Sequence, residues 1–271
     1  MWKTHSLVFA FFVLFHGIAP ASFAAQQKID LPSSWMPQWE KAKALQKKGS
    51  YLQARDIYEA LLQHKAHGKK AKTHRKNILK AYEDLNIKIL FSNIPTPDSF
   101  FYTVREGDTL RDIAQKYQTT IELLKKSNGL SGDRILPGME LKVNKGKFSI
   151  RVDKGTNTLK LLSDKKHLKT YRVSTGAHGS TPEGKFKINN KLKDPTWFYA
   201  GMVAPPGNPE NILGTRWLGF DKPSYGIHGT TLPETIGTQA SKGCVRMLNT
   251  DVEEIYDLIP LGTEVTIKDR M

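Results

Sequence analysis

The chain has 271 residues, enough for one to three domains with a core, and carries 41 Lys and Arg against 26 Asp and Glu, a formal charge of +15. That balance points away from basic partners and toward anionic ones: nucleic acid, a membrane surface or an acidic cell-wall polymer, among which charge alone does not choose. One cysteine, Cys244, leaves no intrachain disulfide to staple the fold.

In chain order, Lys3 gives a weakly basic start, Leu7 to Phe15 is unbroken apolar, and Ser22-Phe23-Ala24 supplies small residues at a cleavage position. Residues 1–24 therefore read as a secretory signal peptide, the apolar run being too short to cross a bilayer. No cysteine follows it to carry a lipid, and no other stretch is apolar enough to span. The expected location is outside the cytoplasm, in the periplasm or cell wall, which removes nucleic acid as a partner.

Residues 25–34 read as a loose leader to a helical region that extends to residue 94. Ala42, Leu45, Gly49, Tyr51, Ala54, Tyr58 and Leu61 fit a helix–turn–helix with Gly49-Ser50 as the turn, followed by a helix with Ile78, Leu79, Tyr82, Leu85 and Ile89 on one face. The hairpin resembles one tetratricopeptide-type repeat, with Ala54 as the small residue that permits close packing. A generic helical hairpin fits as well. Lys65, Lys69, Lys70, Lys72, Arg75, Lys76 and Lys80 form a run without an acid. It can dock an anionic polymer or membrane surface, or be a solvated helix face. His64, His67 and His74 lack an accompanying carboxylate or thiol, so no metal is expected, and no cofactor.

Pro95-Thr96-Pro97 marks a linker over 95–101. Residues 102–145 then read strand (Tyr102, Val104), helix from Leu110 to Tyr117 capped by Asp108 or Thr109, helix from Ile121 to Asn128, a Pro137-Gly138 turn, and strand Glu140 to Val143. This small βααβ unit resembles a LysM domain. The resemblance implies binding of the N-acetylglucosamine-containing glycan of peptidoglycan in a shallow groove, by Gly107, Asp108, Thr109 and Leu110 on one side and Asn128, Ile135, Leu136 and Pro137 on the other.

Residues 147–269 are strand-rich: Phe148, Ile150 and Val152 alternate with polar residues, as do Leu159 and Leu161, Tyr171 and Val173, Phe186 and Ile188, and Val265 and Ile267. Thr250-Asp251-Val252-Glu253 reads as a capping box opening a helix over Val252 to Leu258. Ser163-Asp164-Lys165-Lys166 fits a serine-enzyme pattern but lies in a hairpin turn without the partner motifs, so chance accounts for it.

Tyr225 to Asn249 holds the chemistry. Cys244 is flanked by Ser241, Lys242, Gly243 and Arg246, and His228 lies sixteen positions upstream. A buried filler cysteine calls for apolar neighbours, and an unpaired thiol in an exported chain calls for a reason. The pair reads as a thiol nucleophile with an imidazole that takes its proton and returns one to a leaving amine. Gly243 permits a tight turn whose backbone N–H groups can meet an oxyanion. Arg246 and Lys242 are expected to favour the thiolate.

His228-Gly229-Thr230 and Ser241-Lys242-Gly243-Cys244-Val245-Arg246-Met247 resemble the signature of the YkuD-type L,D-transpeptidase catalytic domain. Thr181-Pro182-Glu183-Gly184-Lys185-Phe186 and Asn208 to Trp217 resemble further family segments. Many members have His where this chain has Lys242, which removes a second histidine but leaves nucleophile and base in place. The fold implied for the whole is multidomain: an α-helical TPR-like hairpin, a LysM domain and a mainly-β catalytic domain. The resemblance implies acyl transfer on peptidoglycan tetrapeptide stems, through a Cys244 thioester, with loss of D-alanine and a 3→3 cross-link. Acylation by carbapenems would follow from the same step.

Orientation of His228 is expected from a backbone carbonyl or the Ser241 hydroxyl. Arg246 can bind a stem carboxylate or brace the loop. Gly229, Tyr225, Trp217 and Lys242 complete the candidate substrate-binding set. The same acyl-enzyme could instead be resolved by water, a D-amino acid or a lysine of an envelope protein. A wall-binding scaffold without catalysis is the reading from another class, and the intact His228, Ser241, Gly243 and Cys244 oppose it.

Overall fold

The computed structural model describes residues 35–63 and 69–270. The signal-peptide segment, the leader to residue 34, His64, Lys65 and His67 lie outside the described residues, as do the side chains of Lys69, Lys70 and Lys72.

The helical region contains α1 (Met36–Lys47), α2 (Tyr51–Gln63) and α3 (Lys69–Leu90). Gly49, at φ +81°, makes the turn between the first two, a conformation that costs glycine little. Ala54 is fully buried where α1 and α2 approach, and the Tyr58 hydroxyl donates to Gln46 Oε1 at 2.9 Å. Ile78, Tyr82, Leu85 and Ile89 of α3 close this small core. The helices form as their periodicity predicts; a hairpin by itself does not establish tetratricopeptide kinship.

The βααβ unit is β1 (Ser99–Thr103), α4 (Leu110–Lys116), α5 (Ile121–Ser127) and β2 (Glu140–Asn144), with β1 antiparallel to β2. Residues 99–101, expected in the linker, are the first half of β1, because their amides find partners in β2. Of the two candidate caps, Thr109 takes the role: its hydroxyl accepts from the Asp112 amide at 3.1 Å.

The three units are docked on one another. Lys142 of β2 is fully buried, and its Nζ donates to the carbonyls of Ile89 (3.0 Å) and Ser92 (2.8 Å) at the C-terminal end of α3. A cation there meets carbonyls without helical partners. Burial nonetheless pulls the Lys142 pKa down to about 8. Ser127 donates to Leu90 O at 2.9 Å, and Thr120 Oγ1 donates to Asp257 O. Lys126–Asp257 (2.5 Å) and Lys193–Glu122 (2.9 Å) pair across the same junction, while Leu123 and Ile87 enter the core of the C-terminal unit.

That unit comprises β3 (Phe148–Asp153), β4 (Thr158–Ser163), β5 (Lys166–Arg172), β6 (Thr175–Gly176), β7 (Gly184–Lys193), β8 (Trp197–Tyr199), β9 (Met202–Ala204), β10 (Arg216–Phe220), β11 (Gly226–His228), β12 (Gln239–Ser241), β13 (Val245–Arg246), α6 (Asn249–Leu258) and β14 (Glu264–Lys268). Eight strands form one mixed sheet in the order β13-β11-β10-β7-β14-β3-β4-β5. Alternation along β3, β4 and β14 puts Ile150, Val152, Leu159, Leu161, Val265 and Ile267 on the inner face, against Val252, Ile255 and Leu258 of α6. Asp164 and Lys165, both at positive φ, form the β4–β5 hairpin turn, so the Ser163–Lys166 pattern is a turn and nothing more.

Helix α6 departs from expectation. It starts at Asn249 rather than through a Thr250–Glu253 capping box, with Leu248 as an N-cap that makes no side-chain bond. The Leu248 carbonyl already accepts from the Asp251 and Val252 amides, so Thr250 lies inside the first turn rather than at its cap.

Candidate active site

Strands β11 and β13 run parallel with Ile227 opposite Val245 and His228 opposite Arg246. The two-residue period of a strand sends Ile227 and Val245 into the core, both fully buried, and places His228 and Arg246 on the other face. Cys244 immediately precedes β13. Its thiol donates to the Ser224 carbonyl at 3.5 Å and is also stabilised toward ionisation by a backbone hydrogen bond of Gly226, the residue that opens β11. His228 therefore lies on β11 and Cys244 at the entry to its neighbour β13, at one edge of the sheet.

His228 is almost fully buried. Of the two orienting groups expected, the structure supplies the backbone: Nδ1 lies 2.7 Å from Gly229 O, and a second backbone hydrogen bond, with Leu213, also favours the protonated ring. The Trp217 ring stacks on the imidazole at 5.9 Å between centroids and 22° between planes, and its Nε1 donates to Asn190 Oδ1 at 2.9 Å. Desolvation, assisted by Arg246, holds the His228 pKa down at about 4. The imidazole is thus neutral at neutral pH.

Arg246 favours the thiolate, as its charge predicts, but burial acts more strongly. Burial raises the Cys244 pKa, and the opposing effects of the Gly226 backbone hydrogen bond and the Arg246 charge are smaller. Thiol and imidazole are therefore both held toward their neutral forms. Lys242 lies over the Trp197 ring at 6.0 Å.

Ser241 has a different role from the orienting one expected. Its hydroxyl accepts from the Gly243 amide at 3.1 Å and donates to the Cys244 carbonyl at 2.6 Å, stitching the nucleophile loop shut. This also corrects the oxyanion assignment: the Gly243 N–H is already spent on Ser241, so Gly243 contributes its conformation rather than its amide. With φ at +126°, a Cβ on it would stand 2.9 Å from Tyr225 Cε1 and 3.2 Å from Ser180 O.

Supporting residues include Ser180 and Lys154, which the sequence did not single out, and members of the Thr181–Phe186 and Asn208–Trp217 segments, which it did. The Ser180 carbonyl reaches Gly243 from a loop, residues 177–183, that contains exposed His178 in the left-handed region (φ 52°). Thr181 Oγ1 holds that loop by accepting from the Gly176 amide at 2.7 Å. Buried Lys154 ties it down by donating to Gly179 O (3.3 Å) and pairing with Glu183 (3.1 Å). Asn249 does the same on the histidine side: its Oδ1 accepts from the amides of Thr230 (3.0 Å) and Thr215 (3.3 Å), and a Cβ on Gly229 would stand 2.2 Å from it. An Asn249→Ala substitution removes the acceptor of both amides and is expected to destabilise the protein by ~1–3 kcal/mol per amide left unpaired, measured by urea unfolding.

Arg246 is buried, with Nε lacking a hydrogen-bond partner among the described residues. Its backbone pairs both ways with Ser174, at 2.9 Å each. Tyr225 lies against Gly243, as noted, and half-buried Trp217 against His228.

In the βααβ unit the candidate glycan residues divide. Gly107, Thr109, Leu136 and Pro137 are exposed and Asp108 partly so; Asp108 Oδ2 accepts from the Tyr102 hydroxyl (2.7 Å) and the Arg105 amide (2.8 Å), which shapes the loop. Two expectations are corrected. The Leu110 side chain is in the unit's core, and Asn128 spends its side-chain amide on the carbonyls of Leu124 and Lys142 and the Lys142 amide, at 2.8, 3.0 and 2.7 Å. Ile135 is half-buried against that core.

Comparison with known proteins follows this division. Residues 147–267 match the L,D-transpeptidase catalytic domain (YkuD) profile and residues 102–144 the LysM domain profile. The L,D-transpeptidase YkuD of Bacillus licheniformis is 34% identical over 174 residues, covering 61% of this chain and 97% of the relative. That of Bacillus subtilis is 36% identical over 174 residues, with the same shares. Among solved structures, an L,D-transpeptidase from Mycobacterium smegmatis is similar at 18% identity and a TM-score of 0.40, over 49% of this chain and 64% of that one.

Proposed function

The chain belongs to the YkuD-type L,D-transpeptidase family, and from that premise we propose that it forms 3→3 cross-links in peptidoglycan through an acyl-enzyme on Cys244. The observation that carries the proposal is the pairing of β11 with β13, which joins an almost fully buried, neutral His228 to the strand that follows Cys244.

Because the resting thiol is protonated, deprotonation and attack belong to one step. His228 accepts the thiol proton as Sγ bonds to the carbonyl carbon of the third stem residue. The tetrahedral oxyanion meets backbone amides of the nucleophile loop, with that of Cys244 the nearest in sequence to the sulfur. Such a donor is worth ~3–4 kcal/mol elsewhere. Collapse breaks the C–N bond to D-alanine, whose amine takes the proton from His228. The amine of a second stem then attacks the thioester, giving its proton to His228 and the new amide bond to the acceptor, and the thiol is restored. Arg246, buried and with an unpaired Nε, is positioned to meet a stem carboxylate. Trp217 and Tyr225 line the approach with Gly229 and Lys242.

The LysM domain binds the glycan, with Gly107, Asp108, Thr109, Leu136 and Pro137 as the groove. Residues 1–24 direct export, and the helical region serves as a TPR-like brace.

Incubation of the purified protein with a disaccharide tetrapeptide carrying a diamino acid tests the reaction by mass spectrometry. The expected product has twice the substrate mass minus one D-alanine, and is absent with Cys244→Ala. Loss of D-alanine with monomers alone would assign carboxypeptidation instead. A carbapenem should add its mass to Cys244 and not to the alanine variant.

A further inference from the structure

The outer face of the large sheet carries a row of cations that the acyl-transfer site does not use. Strand register places Lys185 of β7 opposite Thr266 of β14, Thr266 opposite Arg151 of β3, Arg151 opposite Lys160 of β4, and Lys160 opposite Thr170 of β5. The inward neighbours of these residues, among them Ile150, Val152, Leu159, Leu161, Val265 and Ile267, are buried, while Lys185, Arg151 and Lys160 are exposed. With strands ~4.8 Å apart, the five-strand row spans ~19 Å.

The row has no acid of its own; at its β5 end Glu83 of α3 accepts from the Thr170 amide at 3.0 Å, and the Lys185, Arg151 and Lys160 positions have no such neighbour among the described residues. Each flanking row has one: Lys187 faces Glu264, and Lys268 faces Asp153. Among the described residues, none of Lys185, Arg151 or Lys160 has an ion pair. Arg151 and Lys160 stand directly opposite each other, and like charges in that relation destabilise a sheet. An uncompensated cation pair on an open face is relieved by an anion lying across it.

We propose that this row docks a linear phosphodiester polymer of the cell envelope. Arginine presents a fork that matches phosphate oxygens, lysine supplies point charges, and Thr266 interposes a hydroxyl between Lys185 and Arg151. A chain of repeating charge answers a row of repeating charge, and the +15 balance of the protein provides long-range attraction. A bilayer is the poorer fit, because none of the exposed large hydrophobic side chains (Phe101, Leu136, Phe198, Val203 and Leu261 among them) falls in this row or in the two beside it. The surface would hold the enzyme in the anionic layer while the LysM domain takes glycan, and the proposal stands independently of how the acyl-enzyme is resolved.

The test titrates the full chain with poly(glycerol phosphate), and separately with vesicles of phosphatidylglycerol and phosphatidylcholine, by calorimetry at several salt concentrations. The variant is Arg151→Thr with Lys160→Thr and Lys185→Thr. The expected result is polymer affinity at least ~10-fold weaker, with a shallower salt dependence, since fewer counterions are released. Acylation of Cys244 stays at the wild-type rate, and Lys76→Thr with Lys80→Thr on α3 binds polymer as wild type does. Arg151→Thr alone should raise the thermal midpoint at low salt and leave it unchanged at high salt, as relief of like-charge repulsion requires. Equal polymer binding by the triple variant would overturn the proposal, as would wild-type binding to vesicles but not to polymer.

Discussion

Replacing His228 by glutamine is expected to lower the rate of Cys244 acylation by ~10²–10⁴-fold, the range for loss of a positioned general base. The same variant should change the pH dependence of stability in a defined window. An unfolded histidine takes up a proton below its ordinary value of 6.5, whereas the folded His228 resists protonation until about 4. The unfolded state therefore binds the extra proton as pH falls between those values, and folding stability drops by ~3 kcal/mol across them. Above 6.5 both states hold a neutral imidazole and the contribution is flat. Glutamine has no such titration, so urea midpoints measured from pH 7 to pH 4 should fall less steeply in the variant. Wild-type acylation in the variant would remove His228 from the mechanism; an unchanged slope would mean that the imidazole is hydrated in the folded protein. Cys244 supplies the companion measurement. Because its thiol is held above the ordinary value of 9.0, alkylation by iodoacetamide should be slow at pH 7 and accelerate as pH rises past that value.

The residues proposed for the chemistry are legible in the sequence because they are local. Ser241, Gly243, Cys244 and Arg246 fall within six positions, and His228 is on the strand that pairs with theirs. The residues that hold them in place are not. Asn249 joins Thr215 and Thr230 across 34 and 19 positions, and Lys154 joins Gly179 and Glu183 across 25 and 29. No periodicity or motif encodes such a bond, since each is created by the packing of separate strands and loops. The net direction of the Cys244 pKa was hidden for a related reason. Flanking basic residues are visible in a sequence, but the desolvation that outweighs them depends on what the fold lays over the sulfur. In the βααβ unit, Leu110 and Asn128 flank turns where a side chain can equally face solvent or core, and only tertiary contacts decide between the two. The early start of α6 belongs with these cases. Leu248 has no capping side chain, yet its carbonyl closes the first turn because the chain enters directly from the nucleophile strand.

Gly243→Ala is expected to cost ~10²-fold or more in acylation, the scale on which displacement of a reacting group by about 1 Å is felt. Two separate obstacles act there. The backbone at φ +126° is one that L-residues rarely adopt, and the added methyl would stand 2.9 Å from the Tyr225 ring and 3.2 Å from the Ser180 carbonyl. Relief of the φ strain turns the peptide between Lys242 and Gly243, which swings the Gly243 N–H away from Ser241 and shifts the Cys244 backbone that carries Sγ. Adding Tyr225→Ala separates the causes. If the ring is the obstacle, the double variant regains rate over Gly243→Ala alone. If backbone strain is the obstacle, it gains nothing, because removing the ring leaves φ where it was. Carbapenem or stem-peptide acylation followed by intact-mass measurement reads the rate, and thermal unfolding shows whether the fold survives. A Gly243→Ala protein with wild-type acylation would mean that the loop reaches its reactive shape without this glycine, and that the stitch made by Ser241 is sufficient to place the thiol.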